Sequence, residues 1–244
     1  MTHFRRIPGW LLVVMVLAAC PARSTPTPAP SPTPAAALTV PAPVVTPTAT
    51  AAPSQPTAVP LPAGWVEHRT PDFALWLPED WTVLQPDADD LAARFAEFQA
   101  QNPLLAGIIG SADALHDVAL WAFDPVAPGS VFVDNLNIRR TSLGGQPAPD
   151  MAGLIQPIVE QYRELAFADI ATRTDLIING RAAATITYSF PFTGRDGAPG
   201  QVTGHQYFIA TDTELWILSY AAGPDATAGI AELFAQSAYS FAVW

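Results

Sequence analysis

The chain has no lysine and a single cysteine, and charged residues make up only 14% of its 244 positions. One cysteine excludes an intrachain disulfide and every paired-cysteine zinc or redox motif. Its four histidines never fall at metal-ligand spacing such as HxxxH or HxH. No GxSxG, SxxK, P-loop or GxGxxG run occurs, so the common signatures of acyl transfer, phosphate cradling and dinucleotide binding are missing. The lack of lysine reads as coding bias, because no physical rule forbids it; all eleven basic residues are arginine.

What is abundant is proline, 26 residues in all, with half of the chain apolar and a formal net charge of −11. All 22 carboxylates lie after Pro62, beside only eight arginines, which gives that part a net −14. Such a charge disfavours nucleic acid and anionic lipid head groups as direct partners. Cationic partners or Ca²⁺ remain compatible with it, although solubility alone accounts for an acidic surface.

Arg5 and Arg6 form a positive N-terminal region, and Trp10 to Ala19 an apolar run too short for a comfortable membrane span. The run ends in Leu17-Ala18-Ala19-Cys20, which resembles the lipobox of bacterial lipoproteins. The resemblance implies that residues 1–19 are a signal peptide and that Cys20 receives a diacylglyceryl thioether and becomes the first mature residue. Two acyl chains give stable anchoring where one is marginal, at ~0.8 kcal/mol per buried CH₂. Residues 21–62 hold 13 of the prolines and eight threonines, with Arg23 as the lone charge. Pro-rich runs such as Thr25-Pro26-Thr27-Pro28 favour extended polyproline geometry and cannot bury a core. We read residues 20–62 as a lipidated, disordered tether, on the order of 130 Å at full extension of ~3.1 Å per residue.

Residues 63–244 are long enough for one globular domain. Strands are expected at Phe73–Leu77, Trp81–Leu84, Val118–Phe123, Val131–Arg139, Ile170–Ile178, Ala182–Phe192, Thr203–Thr211, Glu214–Ala222 and Tyr239–Val243. Helices are expected at Asp87–Gln101, with Asp87 as cap, at Met151–Leu165, capped by Asp150, and at Asp225–Ser237. Pro157 should kink the second helix or delay its start. Asn179-Gly180 is a hairpin signal. The order predicts an α+β fold, an antiparallel sheet of about six to eight strands with about three helices packed on it.

Phe73-Ala74-Leu75-Trp76-Leu77-Pro78-Glu79-Asp80-Trp81 resembles the opening hairpin of the PsbP-like fold. Asp175 to Ala183 resembles its hairpin before a long strand, residues 205–220 the strand pair that follows, and Ser237 to Phe241 its terminal helix. That fold is shared by a photosystem accessory protein, a Ran-binding nuclear import factor and bacterial envelope lipoproteins of the DcrB/LpqN type. The likeness covers most of residues 65–244 and rests on structural motifs. The apolar 102–117 segment and Pro157 depart from it. It implies an α/β/α sandwich whose members bind and assist other proteins, with no shared catalytic set and no cofactor.

Other candidates have simpler readings. His68, His116 and His205 are ordinary strand or surface histidines. Asp87-Ala88-Asp89-Asp90 lacks the glycine and distal glutamate of a calcium loop and suits a helix N-terminus. Ile109-Gly110-Ser111-Ala112 has no elbow glycine, Glu160 and Glu164 share a solvated helix face, and residues 194–200 form a plain hairpin loop. Of the domain's tryptophans, most sit in strand patterns and should be core, with one or two exposed. These readings point to a non-enzymatic accessory or binding lipoprotein with an envelope protein partner. A small-molecule or carbohydrate binder and, further off, an envelope hydrolase remain as alternatives.

Overall fold

The computed structural model describes residues 60–86, 91–101, 118–125, 130, 132–193, 199–226 and 229–244. Two antiparallel sheets and three helices are present among them. A small sheet pairs β1 (Trp65–Arg69) with β2 (Phe73–Pro78), and β10 (Ala242–Val243) lies on the other edge of β2. A seven-stranded sheet contains β3 (Thr82–Leu84), β4 (Leu120–Phe123), β5 (Asn135–Ser142), β6 (Ala168–Ile178), β7 (Arg181–Thr193), β8 (Pro199–Ala210) and β9 (Glu214–Ala222). Its spatial order is β3-β4-β5-β9-β8-β7-β6. The helices are α1 (Leu91–Gln101), α2 (Met151–Glu164) and α3 (Ile230–Ser240). The expected α+β class holds, and the small sheet is the addition to it.

The large sheet is covered on both faces, so its central strand is a continuous apolar run rather than an alternating one. Along β9, Trp216, Leu218 and Tyr220 enter one core with Phe73, Leu75 and Leu77 of β2. Phe234 and Ala238 of α3 complete that core. Leu215, Ile217 and Ser219 point to the opposite face and are buried too. On that second face α1 places Leu91, Phe95 and Phe98, at helical spacing, against Leu84, Trp121 and Phe123. Farther along the same face α2 covers β6 and β7 and buries Met151, Ile155, Ile158, Val159 and Tyr162.

Local chemistry explains the best-defined ends. Asp150 caps α2, its carboxylate accepting from the Gly153 N–H at 3.0 Å. Asn179 and Gly180 have φ of 45° and 77°, the two positive angles that a tight hairpin of this twist requires. Pro157 neither delays α2 nor ends it. It lies on the exposed side of the helix, where water can serve the Gly153 carbonyl that loses its N–H donor.

Other expectations are corrected. β1 was not expected at all. β2 and β3 do not form a hairpin: the chain turns at Glu79-Asp80 and passes from the small sheet to the large one. The Trp81 N–H donates to the Pro78 carbonyl at 3.2 Å across that turn. β5 starts at Asn135 and runs to Ser142, four residues later than the strand expected from Val131. α3 starts at Ile230, after Gly229 with φ 93°, and it retains Tyr239 and Ser240, which were expected in the last strand. The cap expected at Asp87 lies outside the described residues. No described helix is long and apolar enough to cross a membrane.

Candidate functional site

Cys20, residues 20–59 of the tether, Asp87 to Asp90, His116 and Ile109 to Ala112 lie outside the described residues, as do positions 194–198 of the Gly-rich loop. His68 lies on β1 and His205 on β8, and burial holds both imidazoles below their ordinary range. His205 stands edge-on to Phe234 at 5.6 Å, a packing role. Glu160 accepts from Gln156 at 3.3 Å, and both Glu160 and Glu164 lie on the exposed side of α2. Among the described residues no group of three or more His, Cys, Asp or Glu can hold a metal ion.

Two polar arrangements escaped the sequence reading. The first runs through the second face of the large sheet. Tyr162 of α2 donates to Gln206 Oε1, Gln206 Nε2 donates to Ser219 Oγ at 3.0 Å, and Asn137 Nδ2 donates to the Ser219 carbonyl at 3.4 Å. Gln206, Ser219 and Asn137 sit on β8, β9 and β5, and each is about 5–6% exposed. Burial pushes the Tyr162 hydroxyl up to about 12, so it stays a donor at any physiological pH. A buried chain whose members satisfy one another fixes α2 on the sheet. Ser189 belongs to the same class: it donates to Asp169 at 2.6 Å and accepts from Gln201 at 2.8 Å, with no histidine in the set.

The second arrangement is a carboxylate pair. Burial first, then the charges of Asp134 and Asp80, push Asp124 up to about 6. Burial also raises Asp134, opposed by the Gly223 N–H that it accepts at 2.7 Å. A carboxyl whose folded pKa lies above its ordinary 3.8 keeps a proton that the unfolded chain has released. Its favourable contribution is therefore present below about pH 4 and lost as pH rises to about 6. Asp124→Asn, which stays uncharged, should match the wild type near pH 4. Its melting temperature should exceed that of the wild type increasingly between pH 4 and 6, then hold a constant lead. Thermal melts across that range check this; a lead that shrinks with rising pH contradicts the assignment.

The surface feature with recognisable binding chemistry is the outer face of the small sheet. Cross-strand partners share a face, so Phe73, Leu75 and Leu77 carry Val66 and His68 inward. Trp65, Trp76 and Arg69 are left outward, with Pro78, Glu67 and Ala74 opposite them respectively. Trp244 follows β10 on the outer side. Its N–H reaches the Asp72 carbonyl, its indole N–H donates to the Pro71 carbonyl, and the Arg69 guanidinium lies 4.8 Å over its ring. Trp244 is 60% exposed, and Trp65 and Trp76 are half-buried. Trp81, Trp121 and Trp216 are core. The six tryptophans of the domain thus divide evenly, three inside and three on one sheet face.

The solution structure of cyanobacterial PsbP (CyanoP) from Synechocystis sp. PCC 6803 aligns over 78% of this chain and 98% of its own, with 10% identity and a TM-score of 0.44. A crystal structure from Bacteroides thetaiotaomicron VPI-5482 aligns over 70% of this chain, with 13% identity and a TM-score of 0.38, and this chain spans 45% of that one. Neither likeness carries anything about activity or partners. No protein-family model and no curated protein matches the sequence.

Proposed function

We propose that this chain is an exported, lipid-anchored, non-enzymatic binding or accessory protein of the cell envelope, built on a PsbP-like domain of the DcrB/LpqN type. The observation that carries the reading is the order of its N-terminal parts. A positive region and a short apolar run end in Leu17-Ala18-Ala19-Cys20, and a proline-rich stretch of residues 21–62 precedes the domain. An anchor on Cys20 and a long tether hold a domain at a distance from a membrane, which suits engagement of an envelope component. Inside the domain, the buried polar groups on the second sheet face are spent on one another and serve the scaffold. The exposed aromatic face favours a second reading within the same address, a carbohydrate binder.

Chemical crosslinking in intact cells, comparing the native chain with Cys20→Ser, tests the accessory role. A defined envelope component should be captured by the native chain and lost when the anchor is lost. A turnover of an envelope substrate that disappears on a point mutation of surface polar residues would sink the non-enzymatic reading.

A further inference from the structure

We propose that the outer face of the small sheet is a stacking platform for a neutral polysaccharide, with Trp65, Trp76 and Trp244 as the contact rings. The inference deepens the binding role proposed above by naming the ligand class of one face.

The register fixes the layout of the three rings. Trp65 lies opposite Pro78 on β2, so Trp76 is its diagonal neighbour on the same face, about 7–8 Å away. Trp244 lies level with Asp72, six positions along β2 from Pro78. At a rise of roughly 3.3 Å per residue the rings extend over about 20 Å. That length takes several linked sugar rings.

The chemistry selects the occupant. The faces of indole rings are electron-rich, and the axial C–H groups of a pyranose carry the complementary partial charge, so sugar rings stack on tryptophan faces. No aromatic ring among the described residues stacks on Trp65 or Trp76, and each keeps a part-exposed ring. The charged groups around the platform are neutralised in pairs: Arg69 with Glu67 at 2.6 Å, and Arg140 with Asp72 at 2.7 Å. On a domain of net −14 these pairs offset charge at this face, and their carboxylates and guanidinium groups are planar partners for sugar hydroxyls.

The test is isothermal titration of the purified full-length chain with soluble cellohexaose and chitohexaose, together with co-sedimentation on cellulose and chitin. Saturable binding to at least one of these glycans is expected. Trp76→Ala and Trp244→Ala should each weaken it tenfold or more, Trp244→Phe should retain most of it, and Glu160→Gln on α2 should leave it unchanged. Trp244 is largely exposed, so its variants keep the test valid if Trp76→Ala fails to fold. Three results overturn the proposal: no saturable binding to any of these glycans, binding undiminished in the tryptophan variants, or binding of a proline-rich peptide in place of glycans, since such peptides also dock on aromatic surfaces. Titration in solution does not depend on Cys20, so its failure leaves the anchor untouched, and a failed anchor leaves the platform untouched.

Discussion

Gly204→Ala is expected to destabilise the domain by about 3 kcal/mol or more, at the upper end of overpacking costs. Gly204 lies in β8 opposite Tyr188 of β7, and a Cβ there would stand 2.3 Å from Tyr188 Cζ and 2.4 Å from Cε2. The ring cannot swing aside. It stacks on Phe167 at 5.0 Å and 18°, and meets Tyr162 edge-on at 4.8 Å. Displacing it would also disturb the hydroxyl of Tyr162, which holds Gln206. For a domain of this size the loss corresponds to a fall in melting temperature of roughly 6–12 °C. Adding Tyr188→Ala should recover part of it, because the two positions are in direct contact and will not behave additively. A loss below about 1 kcal/mol would show that Tyr188 does not lie over Gly204.

Phe234→Ala should cost about 3–5 kcal/mol, the range for an aromatic truncated in a packed core. The side chain is fully buried, and α3 uses it to reach three different elements. Its ring lies 4.8 Å from Tyr220 of β9, 5.6 Å from His205 of β8 and 6.5 Å from Trp81, just before β3. Removal leaves a cavity bounded by residues of a rigid sheet, which collapses poorly. Denaturant unfolding checks the value; a midpoint within error of the wild type would mean that α3 is not held through this residue.

The elements that could be read from sequence are those whose signals are local. β9 was expected at Glu214–Ala222 and lies there. α2 begins at Met151 because Asp150 caps it, and a cap is a short-range feature. The Asn179-Gly180 turn is legible for the same reason. β1 was invisible because Trp65-Val66-Glu67-His68-Arg69 is an edge strand with polar and apolar groups on both faces. The parting of β2 from β3 was hidden too, since membership of a sheet depends on distant strands. The site followed the same rule. Asn137, Gln206 and Ser219 look like the solvent side of their strands, and only pairing across 82 residues, as between Asn137 and Ser219, places them inside. The tryptophans carry no local mark of their fate: Trp76 and Trp81 stand five residues apart, one facing outward and one in the core.

The most direct test of the account is the covalent state of the N-terminus. The chain expressed in bacterial cells should be recovered in the membrane fraction and label with palmitate. Mass spectrometry should find its first residue to be Cys20 carrying a diacylglyceryl thioether, and Cys20→Ser should abolish both label and modification. An unlabelled chain beginning at another residue, or a membrane-bound Cys20→Ser variant indistinguishable from the native protein, would contradict the proposed anchor.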